Sequence, residues 1–393
     1  MTGLPVFQLT DKLRRAAFVE RLSIRNLAGW FLAAPAYETK HRIAYAAWSH
    51  AEHVSWLRDR LAHLRGGHPD ASIDPGLVTF MDLARDSPDS WAFLTATYRV
   101  VYPALLDLYR SLLEEADPAA NAFDARLLRR LIPEIEDMIA AGELVLEGDP
   151  EPQSSTRWAD MLNFRLNAIG GFGGSAVGRV WDDNHPTPTP FALPGRIIFD
   201  ERIQDLPLVS YEDRSALSYE QSVQEQFKVF FNEVYAAAML ATVIFDGYKA
   251  GLDWELIFGL TRHFWDEARH SEFGAVRLSE FGTQPDRCDQ ALFKNGLQMP
   301  LLHRICYLTM VLEPYYMPRK KPRFEEYAEA GDTRSQLFAD HDWSDEINHV
   351  RFGKDALEAL LKNDARDVKR LKEEVIEILE KHLGEPVTGL SPF

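Results

Sequence analysis

Apolar positions recur every three to four residues through most of the chain, the period of helices with one buried face. The pattern predicts helices over residues 13–33, 38–64, 90–115 and 123–146, with a short one opening at Asp74-Pro75. Gly66-Gly67-His68-Pro69, Asp86-Ser87-Pro88-Asp89 and Asp117-Pro118 punctuate them, because glycine and proline break helical hydrogen bonding or phase. A second set is predicted over 218–249, 254–280, 288–318 and 333–361. Residues 285–297 read as a separate short helix, and 367–383 as a charged amphipathic one. Between the sets, residues 147–213 lose the period. Gly170-Gly171-Phe172-Gly173-Gly174 and the prolines of 186–194 cannot be helix interior, and Arg196-Ile197-Ile198-Phe199 reads as extended. This stretch still carries Trp158, Phe164, Phe172, Val177, Val180, Trp181 and Phe191, too apolar for a linker. The expectation is an all-α protein in three parts: a bundle over 1–146, a connecting or lid segment over 147–214, and a second bundle over 215–393.

The exceptions to the apolar pattern carry the chemistry. Glu233 follows Phe230-Phe231-Asn232, and Glu313 follows Met310-Val311-Leu312. A carboxylate in such a setting is costly to bury without a partner. Glu267 and His270 are three apart on a predicted helix, as are Glu346 and His349, so each pair shares one face. One such pair is a common accident on a charged helix. Here both follow a lone glutamate, at 34 and 33 residues. That distance fits half a long helix, a turn and half of its antiparallel neighbour, which places each Glu at the height of the following pair.

Glu233, Glu267-x-x-His270, Glu313 and Glu346-x-x-His349 resemble the ligand pattern of the ferritin-like, carboxylate-bridged di-iron superfamily. The match spans roughly residues 215–362 and does not single out one member family. The resemblance implies a ferritin-like four-helix bundle, duplicated here, and two iron ions, with a manganese–iron pair as the alternative. Glu267 and Glu346 would bridge the ions, Glu233 and Glu313 would be terminal, and each ion would take one histidine. Carboxylate and imidazole donors suit iron or manganese better than a closed zinc site. Asp266 and Asp345 would reach across the bundle, Asp345 orienting His270 and Asp266 orienting His349. His263, one turn before Glu267, reads either as an extra ligand or as a hydrogen-bonded pocket residue.

The implied activity is dioxygen activation: an oxidase or oxygenase acting on a small organic substrate, with an electron-donor protein as a further partner. A rubrerythrin- or ferritin-like ferroxidase or peroxidase is the alternative, against which stands the lack of a Cys-x-x-Cys pair. A metal-free helical scaffold is the third reading. A covered pocket is expected around Phe230, Phe264, Phe273, Leu312 and Tyr316, with 170–200 closing over its open side.

The first half repeats the second in altered form. Trp48-Ser49-His50-Ala51-Glu52-His53 aligns with Trp265-Asp266-Glu267-Ala268-Arg269-His270, and Tyr102-Pro103 with Glu313-Pro314. The corresponding set is Glu20, His50, His53, Tyr102, Glu134 and Asp137. His50, Tyr102 and Asp137 break the ligand pattern, so these groups are expected to bond one another or face solvent rather than hold two metals, with a weaker one-ion site as the alternative.

Charge and cysteines narrow the setting. A net charge of −17 argues against nucleic acid or an anionic membrane as partner. Cys288 and Cys306 have no metal-type spacing, and no apolar signal core or 18-residue uncharged run is present, which reads as a reduced, cytoplasmic protein. Arg319-Lys320-Lys321 reads as a solvated helix end, and His303 and His341 as structural or surface residues. Oligomeric state is left open.

Overall fold

The computed structural model describes residues 3–65, 68–70, 73–147, 153–174, 188–209 and 216–383. The fold is all-α. Among these residues the only β-type pairing is one isolated parallel bridge between Gln204 and Arg287. The chain divides into two compact units, Met1–Trp30 with Arg42–Leu193 and Phe31–His41 with Pro194–Phe393.

The first unit contains most of α1 (Val6–Ala33) and α2 (Tyr37–His63), then α3 (Pro75–Arg85), α4 (Ser90–Ala96), α5 (Tyr102–Glu115), α6 (Ala122–Leu146) and α7 (Gln153–Ala168). Local chemistry sets the starts. Asp74 accepts from the Gly76 amide with Pro75 in the first turn, and Asp89 accepts from the Ala92 amide. The helix α7 was not expected. Its sequence is rich in Ser, Thr and Asn, poor helix formers, and it is held by packing against α3 and α4. Phe172, just beyond it, is buried against Phe80, with ring centroids 5.6 Å apart. The Phe172 carbonyl accepts from Arg15 Nε at 2.7 Å.

The second unit contains α8 (Tyr219–Asn232), α9 (Val234–Ala250), α10 (Trp254–Glu280), α11 (Ala291–Leu297), α12 (Leu301–Cys306), α13 (Glu313–Tyr316), α14 (Lys320–Glu329), α15 (Thr333–Leu360) and α16 (Val368–Leu383). A capping box between Ser218 and Gln221 opens α8, and Gly251 at φ 71° closes α9. The helix expected over 288–318 is instead a chain of short pieces. Gln298-Met299-Pro300 interrupts it, and Pro314 and Pro318 remove amide donors from its later turns. The stretch Tyr219–Ala250 is long and apolar enough to cross a membrane by composition, but 83% of its most apolar window is buried in the fold, as for a core helix.

The helix α10 packs against α8, α9 and α15. The approach to α8 is close because position 274 is glycine: a methyl there would overlap the Phe231 backbone. Gly353 on α15 does the same against Thr309. Each glycine follows a Glu-x-x-His histidine by four residues, so both close approaches lie one turn beyond the candidate ligands.

Both units also carry a π-helical turn at matching places. Thr97–Val101 runs straight into Tyr102-Pro103, and Tyr307–Leu312 into Glu313-Pro314. The Tyr102 amide donates to the Thr97 carbonyl and the Glu313 amide to that of Leu308, five residues back in each case. The proline that follows has no amide to continue the regular ladder, which makes the wider turn cheaper to keep.

Of the described residues in the segment 147–214, those before Pro194 belong to the first unit and those from Pro194 to the second. Residues 197–199 form no strand, and Arg196 lies in a bend. Gln290 bonds both the amide and the carbonyl of Ile197, and the Ile198 amide donates to Leu32 of α1. Val177, Val180 and Trp181 lie outside the described residues.

Candidate metal centre

Four stretches of the second unit aim polar side chains at one another. Glu233 stands at the break between α8 and α9. His263, Glu267 and His270 occupy successive turns of α10, and Asp342, Glu346 and His349 successive turns of α15. Glu313 opens α13 directly after the π turn.

These side chains form two groups of four. His263, Glu267, Glu313 and His349 make one, Glu233, His270, Asp342 and Glu346 the other, and in each the candidate donor atoms lie within 4.8 Å of one another. In the first, His263 Nε2 is 2.8 Å from Glu313 and 3.1 Å from Glu267, and His349 Nδ1 is 3.3 Å from Glu267. In the second, His270 Nδ1 is 3.2 Å from Glu233 and 3.5 Å from Asp342. Glu267 and Glu346 reach both groups, through 3.9 Å to His270 and 4.0 Å to His349. The histidines are exchanged: that of α15 joins the Glu of α10, and the reverse.

His270 and His349 turn Nδ1 inward and Nε2 outward onto a carboxylate of the opposite helix. His270 Nε2 is 3.2 Å from Asp345 and His349 Nε2 is 3.4 Å from Asp266. The aspartates are anchored in turn, Asp266 by Arg262 at 2.9 Å and Arg269 at 3.0 Å, and Asp345 by Arg269. Burial would raise the Asp266 carboxyl, but His349 and Arg262 bring it down to about 2. It is therefore a standing anion that holds the His349 imidazole in place.

The donors fit a metal. Among the described residues, Glu233 Oε2, His270 Nδ1, Glu313 Oε2, Glu346 Oε2 and His349 Nδ1 are buried without hydrogen bonds, although they face one another. Burial raises the carboxyls of Glu233 and Glu346, and pushes that of Glu313 up to about 7. Crowded buried carboxylates of this kind ask for a cation. The buried His, Glu and Asp clusters of this chain can therefore hold metal ions.

Two members of the centre escaped the sequence reading. Asp342 precedes Glu346 by four residues, as His263 precedes Glu267, and that repeated offset was the available signal. Lys320 was expected in solvent but is only 4% exposed. Its ammonium lies 2.6 Å from Asp342, 3.0 Å from Glu346 and 3.9 Å from Glu233.

A cavity of about 250 Å³ opens beside the centre, lined by Glu233, Glu267, Glu313, Glu346 and Lys320 on the polar side. Of the residues expected to line it, Leu312 and Tyr316 do so. Phe230 belongs to the core cluster with Phe227 and Phe338, Phe264 packs on Phe31, and Phe273 stacks on Phe338. The expected lid, 170–200, lies partly outside the described residues, at 175–187; its glycine cluster and Phe172 belong to the first unit, and Leu208 and Val209 border the cavity.

In the first unit, Glu20 accepts from His50, from His53 at 3.1 Å and from the Tyr109 hydroxyl at 2.5 Å. His53 Nε2 bonds Glu134 at 2.9 Å. Burial would raise Glu20 and lower His53, but their mutual attraction wins and sets them at about 2 and about 9. Asp137 is exposed, and Tyr102 lies against His50 with ring centroids 5.0 Å apart. Glu20, His50 and His53 also have the spacing to hold an ion. As drawn, Glu20 is satisfied by protein donors alone, with Tyr109 the donor that the sequence alignment did not include.

Comparison of the chain with models of known protein families, with curated proteins and with solved structures returned no match.

Proposed function

We propose that the second unit is a non-haem di-iron oxidase or oxygenase that uses dioxygen to oxidise a small organic molecule held in the cavity beside the ligands. One observation carries this reading: Glu267 and Glu346 stand between two adjacent four-donor groups, each within 4.0 Å of a histidine of the other group, and His270 and His349 are each backed by an aspartate from the facing helix. Glu233, Glu267, Glu313, Asp342, Glu346, His263, His270 and His349 would hold the ions, and the ions would supply dioxygen reduction. Asp266 and Asp345 keep Nε2 protonated and so leave Nδ1 as the donor atom. Leu312, Ala236, Tyr235 and Tyr316 place substrate against the carboxylate face and displace water from it. A reductant, such as a small electron-donor protein, completes the balance when the substrate supplies fewer electrons than dioxygen accepts.

The cavity favours a substrate oxidase over a ferroxidase or peroxidase of the rubrerythrin or ferritin kind, which needs room only for ions and peroxide. Purified protein loaded with iron should contain metal in the second unit. In the reduced form it should consume dioxygen faster when a fitting substrate is present. Uptake that responds to ferrous iron or peroxide alone would favour the ferroxidase reading, and protein that takes up no metal would leave a scaffold.

A further inference from the structure

We propose that the ammonium of Lys320 stands in the place of the second metal ion, so that the two positions fill unequally and the second fills only as Lys320 withdraws. The inference rests on the di-metal reading and adds the order in which the ions enter.

The two groups of donors differ in one respect. In the first, Glu267 and Glu313 face the imidazoles of His263 and His349. In the second, Glu233, Asp342 and Glu346 face a lysine. Lys320 Nζ lies 2.6 and 2.8 Å from the two oxygens of Asp342, 3.0 Å from Glu346 and 3.9 Å from Glu233. These are three of the four donors that the second ion would need. An ion bonded at roughly 2.0–2.2 Å to the same oxygens would touch the ammonium, and two cations cannot share those lone pairs.

Register puts the lysine there. Lys320 opens α14 and is 4% exposed, whereas the side chain of Lys321 is 64% exposed. The burial of an ammonium is tolerated because it offsets three carboxylates that would otherwise repel one another. Withdrawal is feasible on two grounds. The four-carbon stem of lysine is flexible, and Lys320 itself lines the cavity, which offers its head group somewhere to go. The lysine thus keeps the half-loaded centre neutral enough to stay folded, and it leaves when a divalent ion competes for the oxygens.

The test uses the full chain, stripped with chelator and titrated with Mn²⁺ alone in equilibrium dialysis, with bound manganese counted by elemental analysis. The parent should show one tight and one weak class of site. Lys320→Met should tighten the weak class by about tenfold or more, since a unit charge no longer opposes the ion, and leave the tight class unchanged. Its metal-free form should melt lower than the parent and gain more on loading. Lys320→Arg, which keeps the charge, should leave the second class weak. Should Lys320→Met fail to fold without metal, Lys320→Gln, which keeps a hydrogen-bond donor but not the charge, decides: it too should tighten the weak class and spare the tight one. Two equal tight classes in the parent, or an unchanged weak class in Lys320→Met, would overturn the inference while leaving the metal site intact. No manganese bound by any form would overturn both.

Discussion

Asp345 would act on a metal without touching it. It fixes His270 through Nε2, at 3.2 Å, and is itself held by Arg269. Asp345→Ala should therefore weaken metal binding by roughly 10–100-fold, the usual cost of losing such a partner, as measured by competition with a coloured chelator. Asp345→Asn, whose side-chain carbonyl can still accept from Nε2, should recover part of the loss. The His53–Glu20 pair makes a different prediction, about pH. The raised pKa of His53, about 9, means that its contribution is complete below about 6.5 and fades as pH rises through 9. The lowered pKa of Glu20, about 2, means that its contribution holds above about 4.5 and fades as pH falls through 2. The first unit should be best supported by this pair between those limits. Urea denaturation should show a loss on the order of 3 kcal/mol between pH 6 and 9, and His53→Gln should flatten it. The six Glu and His positions were legible because their spacing repeats; Asp266 and Asp345 were legible because they adjoin the pairs. Lys320 was hidden among three successive cations beside prolines, where no period tells which side chain turns inward.

Whole helices were easier to read than their interruptions. The predicted spans 254–280 and 333–361 match α10 and α15 closely, since a long apolar stripe leaves little choice. The helix α7 was missed because its stability comes from packing on α3 and α4 rather than from its own composition. Gly274 and Gly353 gave no local signal either, because what each one accommodates is the chain across from it. A methyl at Gly274 would overlap the Phe231 backbone, one turn from His270. Gly274→Ala and Gly353→Ala should each cost about 1–3 kcal/mol, the range for overpacked cores, seen as a lower melting temperature. Because the displaced elements carry or adjoin ligands, metal affinity should fall in the same variants. Alanine at the open Gly282 position, where φ is 73°, should lower stability without altering metal affinity.

Both units bury a cluster of Glu and His side chains, with different partners in each. Glu20, His53 and Glu134 of the first unit correspond in order to ligands of the second, yet Tyr109 and the histidines satisfy Glu20 without an ion. His270→Ala should then remove essentially all oxygen-dependent activity and part of the bound metal. His53→Ala should lower stability and leave the metal count of the second unit unchanged. Equal metal loss in both, by elemental analysis, would show that the first unit binds metal too. The boundaries of the two units were only partly legible: the division falls at Leu193 and Pro194, inside the segment whose texture suggested a separate piece.

The wide turns before Tyr102 and Glu313 bear on how such a plan can change. A π turn holds one residue more than the ladder on either side of it, and one residue is about 100° of rotation in an α-helix. In the second unit that surplus sets the angular phase of Glu313, so the ligand's direction is fixed by chain length as much as by residue type. A single-codon deletion in Tyr307–Leu312 would leave every candidate ligand in the sequence and yet turn the Glu313 carboxylate away from His263 and Glu267. The same deletion in Thr97–Val101 would shift Tyr102 and the buried side chains of Tyr98, Val100 and Val101, so there the turn is kept for packing alone.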